Sequence, residues 1–106
     1  MSLTEQEFRI KSDEALQHAR RGLMSLADAD AGFELELQNG VLNLVFEEPS
    51  ETKFVVSPNA PVRQVWVSAM GKSYKLPWSP EKSAFAINGE TLTQLLDRLT
   101  RVFLQQ

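Results

Sequence analysis

Asn39-Gly40, set between two runs of alternating apolar residues, restricts the fold of this chain more than any other feature. Phe33-Glu34-Leu35-Glu36-Leu37-Gln38 precedes the pair and Val41-Leu42-Asn43-Leu44-Val45-Phe46 follows it. Both turn residues tolerate positive φ, which suits a two-residue type I′ hairpin. That turn places Leu37 opposite Leu42, Leu35 opposite Leu44 and Phe33 opposite Phe46. All six side chains then share one face, with Glu34, Glu36, Asn43 and Val45 on the other. A slip of one residue would turn every one of them over, so the register is strongly specified.

A helix is expected before the hairpin. Thr4 with Glu7 three residues on forms a capping box, and Leu3 with Phe8 forms a hydrophobic staple. Phe8, Ser12, Ala15, Leu16, Ala19, Leu23 and Leu26 recur by threes and fours, so one face packs and the helix ends near Ala27. After the hairpin the chain reads as short strands: Lys53 to Ser57, Val62 to Ser68, one around Ser73 to Leu76, and a short one at Ser83 to Ile87. Pro58-Asn59-Ala60-Pro61 breaks the first of these, and Gly71 turns the second into the third. Beyond Asn88-Gly89-Glu90, Leu92, Leu95, Leu96, Leu99 and Val102 or Phe103 form the stripe of a second helix. The expected architecture is a two-layer α+β sandwich. An antiparallel sheet of five to six strands carries both helices on one face.

The open face of that sheet holds the feature with the clearest functional content. In Gln64-Val65-Trp66-Val67-Ser68 the valines face the helices, leaving Gln64, Trp66 and Ser68 outward. An outward Trp between hydrogen-bonding side chains suggests a docking surface.

Composition narrows the function classes. With 106 residues, of which 42% are hydrophobic and 24% charged, the chain fits one domain with one core. It has no Cys, which removes disulfides, thiolate ligands and cysteine nucleophiles. His18 is the only His, has no ligand partner at metal spacing, and is read as structural or incidental. No Gly-rich phosphate loop or nucleophile elbow occurs, so an enzyme is not expected. Basic clustering is too slight for nucleic-acid binding, and no segment suits a membrane. The N-terminus reads as that of a mature cytosolic protein. Charge is segregated along the chain. Asp28, Asp30, Glu34, Glu36, Glu47, Glu48 and Glu51 occupy a stretch without Lys or Arg, whereas Lys53, Arg63, Lys72, Lys75 and Lys82 follow with Glu81 as their only acid. Such segregation suggests two surfaces with different partners.

The element order, together with Asn39-Gly40-Val41-Leu42, Pro61-Val62-Arg63-Gln64-Val65-Trp66-Val67-Ser68, Tyr74 with Trp78, and Gly89-Glu90-Thr91-Leu92-Thr93-Gln94-Leu95-Leu96, resembles the frataxin family, most closely its bacterial members. The resemblance covers nearly the whole chain, residues 1–106, as a single domain. It implies a cytoplasmic, monomeric accessory protein of iron-sulfur cluster assembly, which binds a cysteine desulfurase and its scaffold protein and binds ferrous and ferric iron weakly. The alternative it leaves open is a direct iron donor or chaperone acting through surface carboxylates. Carried over residue by residue, the partner surface is Asn59, Arg63, Gln64, Trp66 and Ser68. The iron-binding acids are Asp28, Asp30, Glu34 and Glu36, with Asp13 and Glu14 as weaker candidates. The chain departs from the family at Arg20 and Arg21, where bacterial frataxins carry acids, and at Met24 and Ser25 beyond them. Two arginines beside a weak carboxylate site repel cations, so iron affinity is expected to fall.

Overall fold

The computed structural model describes residues 3–28 and 32–105. Helix α1 spans Glu5–Asp28. Its start is fixed as the sequence predicts: the Thr4 N–H donates to Glu7 Oε1 at 2.9 Å, and the Glu7 N–H donates to Thr4 Oγ1 at 3.1 Å. These reciprocal bonds satisfy two donors that a helix N-terminus leaves open, and the bonds from Thr4 hold the Glu7 carboxyl below its ordinary pKa. Phe8, Ser12, Leu16, Ala19 and Leu23 form its buried stripe.

Seven strands follow, each antiparallel to the one before it, in the spatial order β1 to β7. They are β1 Glu34–Gln38, β2 Val41–Phe46, β3 Thr52–Asn59, β4 Gln64–Ala69, β5 Lys72–Ser79, β6 Ala84–Ile87 and β7 Glu90–Thr91. In the first hairpin Leu35 pairs with Leu44 and Leu37 with Leu42, and Asn39 and Gly40 both take positive φ, at 53° and 74°. Phe33 lies just ahead of β1, and its ring stacks on Phe46 at 4.9 Å.

Helix α2, Leu92–Leu104, is capped by Thr91 in a second capping box with Gln94. Arg98 on α2 donates from Nε and Nη2 to the two carboxylate oxygens of Glu90 at 2.7 and 2.8 Å, tying the helix to β7. Both helices cover one face of the sheet. There Phe46 forms the centre of an aromatic cluster, 4.8 Å from Phe54 and 4.7 Å from Phe103. Tilted and edge-on ring pairs of this kind add to the area they bury. The two helices approach closely at Gly22, where a Cβ would come within 2.9 Å of Thr93 Cγ2.

The two-layer α+β sandwich is thus as expected, with seven strands in place of five or six. The added strand and two shifted strand boundaries have three physical sources. First, Asn88-Gly89 is itself a two-residue turn, with φ of 52° and 82°, so Glu90 and Thr91 pair with Ile87 and Ala86 before the helix starts. Second, β3 runs on through Pro58 to Asn59. The β2–β3 ladder reaches only the Leu42 and Val56 pair, so Pro58 has β4 as its one ladder partner and its missing N–H interrupts nothing on the other side. Third, the chain between β3 and β4 makes a single 3₁₀ turn at Ala60–Val62, and Arg63 takes a left-handed conformation with φ 54°. Val62 and Arg63 therefore lie outside the strand in which the sequence placed them.

Candidate functional site: the open face of the sheet

Alternation along β4 sends Val65, Val67 and Ala69 into the core and leaves Gln64, Trp66 and Ser68 on the uncovered face. The ladders set their neighbours. Trp66 lies between Ser57 on β3 and Lys75 on β5, Ser68 between Val55 and Ser73, and Gln64 between Asn59 and Pro77. Four of the five residues expected to meet a partner, Asn59, Gln64, Trp66 and Ser68, are thereby brought onto adjoining positions of two paired strands.

Trp66 is half-buried and held at both ends. Its indole N–H donates to Gln64 Oε1 at 2.9 Å, and the Lys75 ammonium sits 4.9 Å from the ring centroid. The first contact satisfies the only polar atom of the side chain, and the second is a cation–π arrangement. A bulky ring fixed in this way offers a partner large contact area at little further loss of conformational freedom. Lys75 was not among the residues expected at the site. Its place follows from Met70-Gly71, a two-residue turn with φ of 51° and 77°, which sets the β4–β5 register.

Arg63 is placed differently. Its Nε donates to the Leu3 carbonyl at 3.3 Å and its Nη1 bonds the Ala60 carbonyl, so the guanidinium fastens the segment before α1 to the 3₁₀ turn. That engagement gives the side chain a role in the fold at the margin of the face.

Across the sheet the open face continues through Val45 and Asn43 on β2 to Glu34 and Glu36 on β1, the edge strand. The charge segregation seen along the sequence becomes spatial here, with acids at the β1 edge and Lys53 and Lys75 on β3 and β5. Glu34 and Glu36 are both exposed and stand two residues apart on one face, a spacing of about 7 Å along the strand. Asp28 is the last residue of α1 and is exposed. Asp30 lies outside the described residues. Of the weaker candidates, Asp13 accepts from Gln17 Nε2 at 2.9 Å, and Glu14 faces Lys11 at 3.6 Å. Among the described residues no group of three or more His, Cys, Asp or Glu is arranged to hold a metal ion. Arg20 and Arg21 are exposed, and neither is in an ion pair among the described residues. Among these same residues no helix is long and apolar enough to cross a membrane.

The chain is 31% identical over 104 residues to the iron-sulfur cluster assembly protein CyaY of Pseudomonas syringae pv. syringae, a match covering 94% of this chain and 88% of the relative. It is 29% identical over 102 residues to the protein of the same name from Azotobacter vinelandii, with the same coverage. Among solved structures, the frataxin of Psychromonas ingrahamii superimposes with a TM-score of 0.73 at 22% identity, over 98% of this chain and 92% of that one, and so shares its fold. The model of the frataxin-like domain matches residues 1–106, and with these relatives it shows that the chain belongs to the frataxin-like family.

Proposed function

We propose that this protein is an accessory component of iron-sulfur cluster assembly that acts by docking on other proteins rather than by catalysis. The observation that carries the reading is Trp66, half-exposed on the uncovered sheet face and held there by Gln64 and Lys75. The names of the bacterial relatives, iron-sulfur cluster assembly proteins, supply the process. The partner is a cysteine desulfurase with its scaffold protein. The open face, with Asn59, Gln64, Trp66 and Ser68, meets the scaffold, and the acidic stretch from Asp28 to Glu51 meets a basic patch on the desulfurase. Iron is cargo in this reading, attracted weakly by Asp28, Glu34 and Glu36, and the protein works as a soluble monomer in the cytoplasm.

Calorimetric titration of this protein into a desulfurase and scaffold complex from the same organism tests the reading, first without iron and then with Fe(II). Saturable binding that weakens with added salt and is lost in Trp66→Ala is the expected result. Absence of binding in both conditions would overturn it. Binding that appears only with Fe(II), and survives Trp66→Ala, would transfer the function to iron donation through the carboxylates.

A further inference from the structure

On the opposite side of the sheet from Trp66, α1, the β5–β6 turn and the start of α2 enclose a cleft of about 380 Å³. This falls within the range of small-molecule sites, at the small end. Its inner wall is aromatic. Trp78 lies on the helix-facing side of β5, half-buried, with its ring edge-on to Phe85 at 5.2 Å. The rim is basic. Lys11 sits with its ammonium 5.8 Å from the Trp78 ring centroid, Lys82 projects from the β5–β6 turn, and His18 stands two turns along α1 from Lys11. Glu14 is the one acid lining the cleft and faces Lys11 at 3.6 Å, an exposed pair of the kind that contributes little. Lys82 has no ion-pair partner among the described residues. Thr93 lines the α2 side.

The shape of the β5–β6 turn does not depend on the Lys82 ammonium. Lys82 is exposed in a turn whose shape is set by other groups, since its own backbone N–H donates to Ser79 Oγ and the Ser83 N–H donates to the Pro80 carbonyl. Core packing accounts for Phe85, which is fully buried, whereas Trp78 is only half-buried and lines the cleft.

We propose that this cleft binds a small organic anion carrying a flat ring, the shared chemistry of a nucleoside monophosphate and an aromatic carboxylate. The ring packs against Trp78, and the anionic group is held between Lys11 and Lys82. Because the cleft lies on the helix side, ligand binding leaves the Trp66 face free, and the two sites can be occupied together.

The test uses Trp66→Phe protein, in which Trp78 is the sole tryptophan of the two in the chain. Trp78 fluorescence and backbone amide shifts at Thr91 to Thr93 are followed while adenosine monophosphate, benzoate and inorganic phosphate are titrated separately. Expected is a saturable change with one of the two ring-bearing anions at millimolar concentration or below, weakened about tenfold in Lys82→Ala. Whichever of the two saturates names the ligand source. No saturable change with either by about 10 mM, in protein whose Tm is unchanged, would overturn the proposal. Equal affinity for inorganic phosphate would also overturn it, since the ring would then contribute nothing. So would affinity unaltered in both Lys82→Ala and Lys11→Ala.

Discussion

The indole N–H of Trp66 donates to the side-chain oxygen of Gln64, two residues back on the same strand and the same face, at 2.9 Å. The bond costs the core nothing, because both side chains lie outside it, and it fixes the ring that a partner would meet. Gln64→Ala is therefore expected to leave Tm within about 2 °C of the parent while weakening partner binding several-fold through loss of preorganisation. Trp66→Ala should abolish binding at a similarly small cost in stability. Thermal scans alongside calorimetry separate these effects. A large fall in Tm for Trp66→Ala would show that the ring supports the fold rather than the interface.

At Gly22 helix α1 passes close to Thr93 of α2. Replacing a helix-interior glycine by alanine ordinarily gains up to about 1 kcal/mol. Here the new Cβ would meet Thr93 Cγ2 at 2.9 Å, and Thr93 is half-buried on a β-branched side chain with little room to turn. Gly22→Ala is expected to destabilise the protein by about 1 kcal/mol net, since overpacking typically costs 1–3 kcal/mol. Adding Thr93→Ser removes the opposing methyl group and should restore the loss in urea unfolding. A single variant more stable than its parent would refute the steric argument.

The core cluster centred on Phe46 gives a prediction of larger size. Phe46 is 2% exposed and packs on Phe33, Phe54 and Phe103, so Phe46→Ala should cost about 3–5 kcal/mol. Ile10, 53% exposed on α1, is the control: Ile10→Ser should change stability by no more than about 0.5 kcal/mol. Denaturant midpoints read both.

Acid should weaken the tie between β7 and α2. The hydrogen bonds from Arg98 hold the Glu90 carboxyl below its ordinary pKa. A carboxyl depressed in the folded state binds fewer protons than in the unfolded chain. Its stabilising contribution is therefore complete above the unfolded value and disappears as pH falls through the folded one. Both groups are partly exposed, so the effect is modest and screened by salt. Melting Glu90→Gln and its parent across the acid range should show the parent's advantage at neutral pH narrowing below the ordinary carboxylate range. A difference constant with pH would mean that the pair contributes nothing through charge.

If Arg20 and Arg21 repel cations, charge reversal should be visible directly. Arg20→Glu with Arg21→Glu is expected to strengthen Fe(II) binding by about tenfold or less, in line with exposed charges of this kind. Anaerobic titration of both proteins measures it. Unchanged affinity would place the cation surface away from this part of α1.

Much of this was legible from local pattern. The Asn39-Gly40 register, the Thr4 capping box and the two apolar stripes are decided by neighbouring residues, and the structure keeps them. The outward placement of Trp66 followed from alternation alone. Features that escaped depended on partners. Asn88-Gly89 carries the same turn chemistry as Asn39-Gly40, but the strand it opens is two residues long and was absorbed into the helix start. Pro58 reads as a breaker unless it is known that β2 has already ended beside it. Lys75 could have been found by treating Met70-Gly71 as a two-residue turn and counting outward. Arg63 could not, because its partners, the carbonyls of Leu3 and Ala60, are joined by tertiary structure.

Every strand of the sheet after β1 is bonded to its immediate predecessor in the chain. Sheet assembly therefore needs only short loop closures, which are fast and can proceed in sequence order. Helix α1 precedes the strands and covers part of the apolar side, and the rest is covered when α2 brings Leu95, Leu96, Leu99 and Phe103 across it. During synthesis the sheet is thus complete while half of its cover is still to come, and in that interval the nascent chain presents an apolar strip of the kind chaperones recognise.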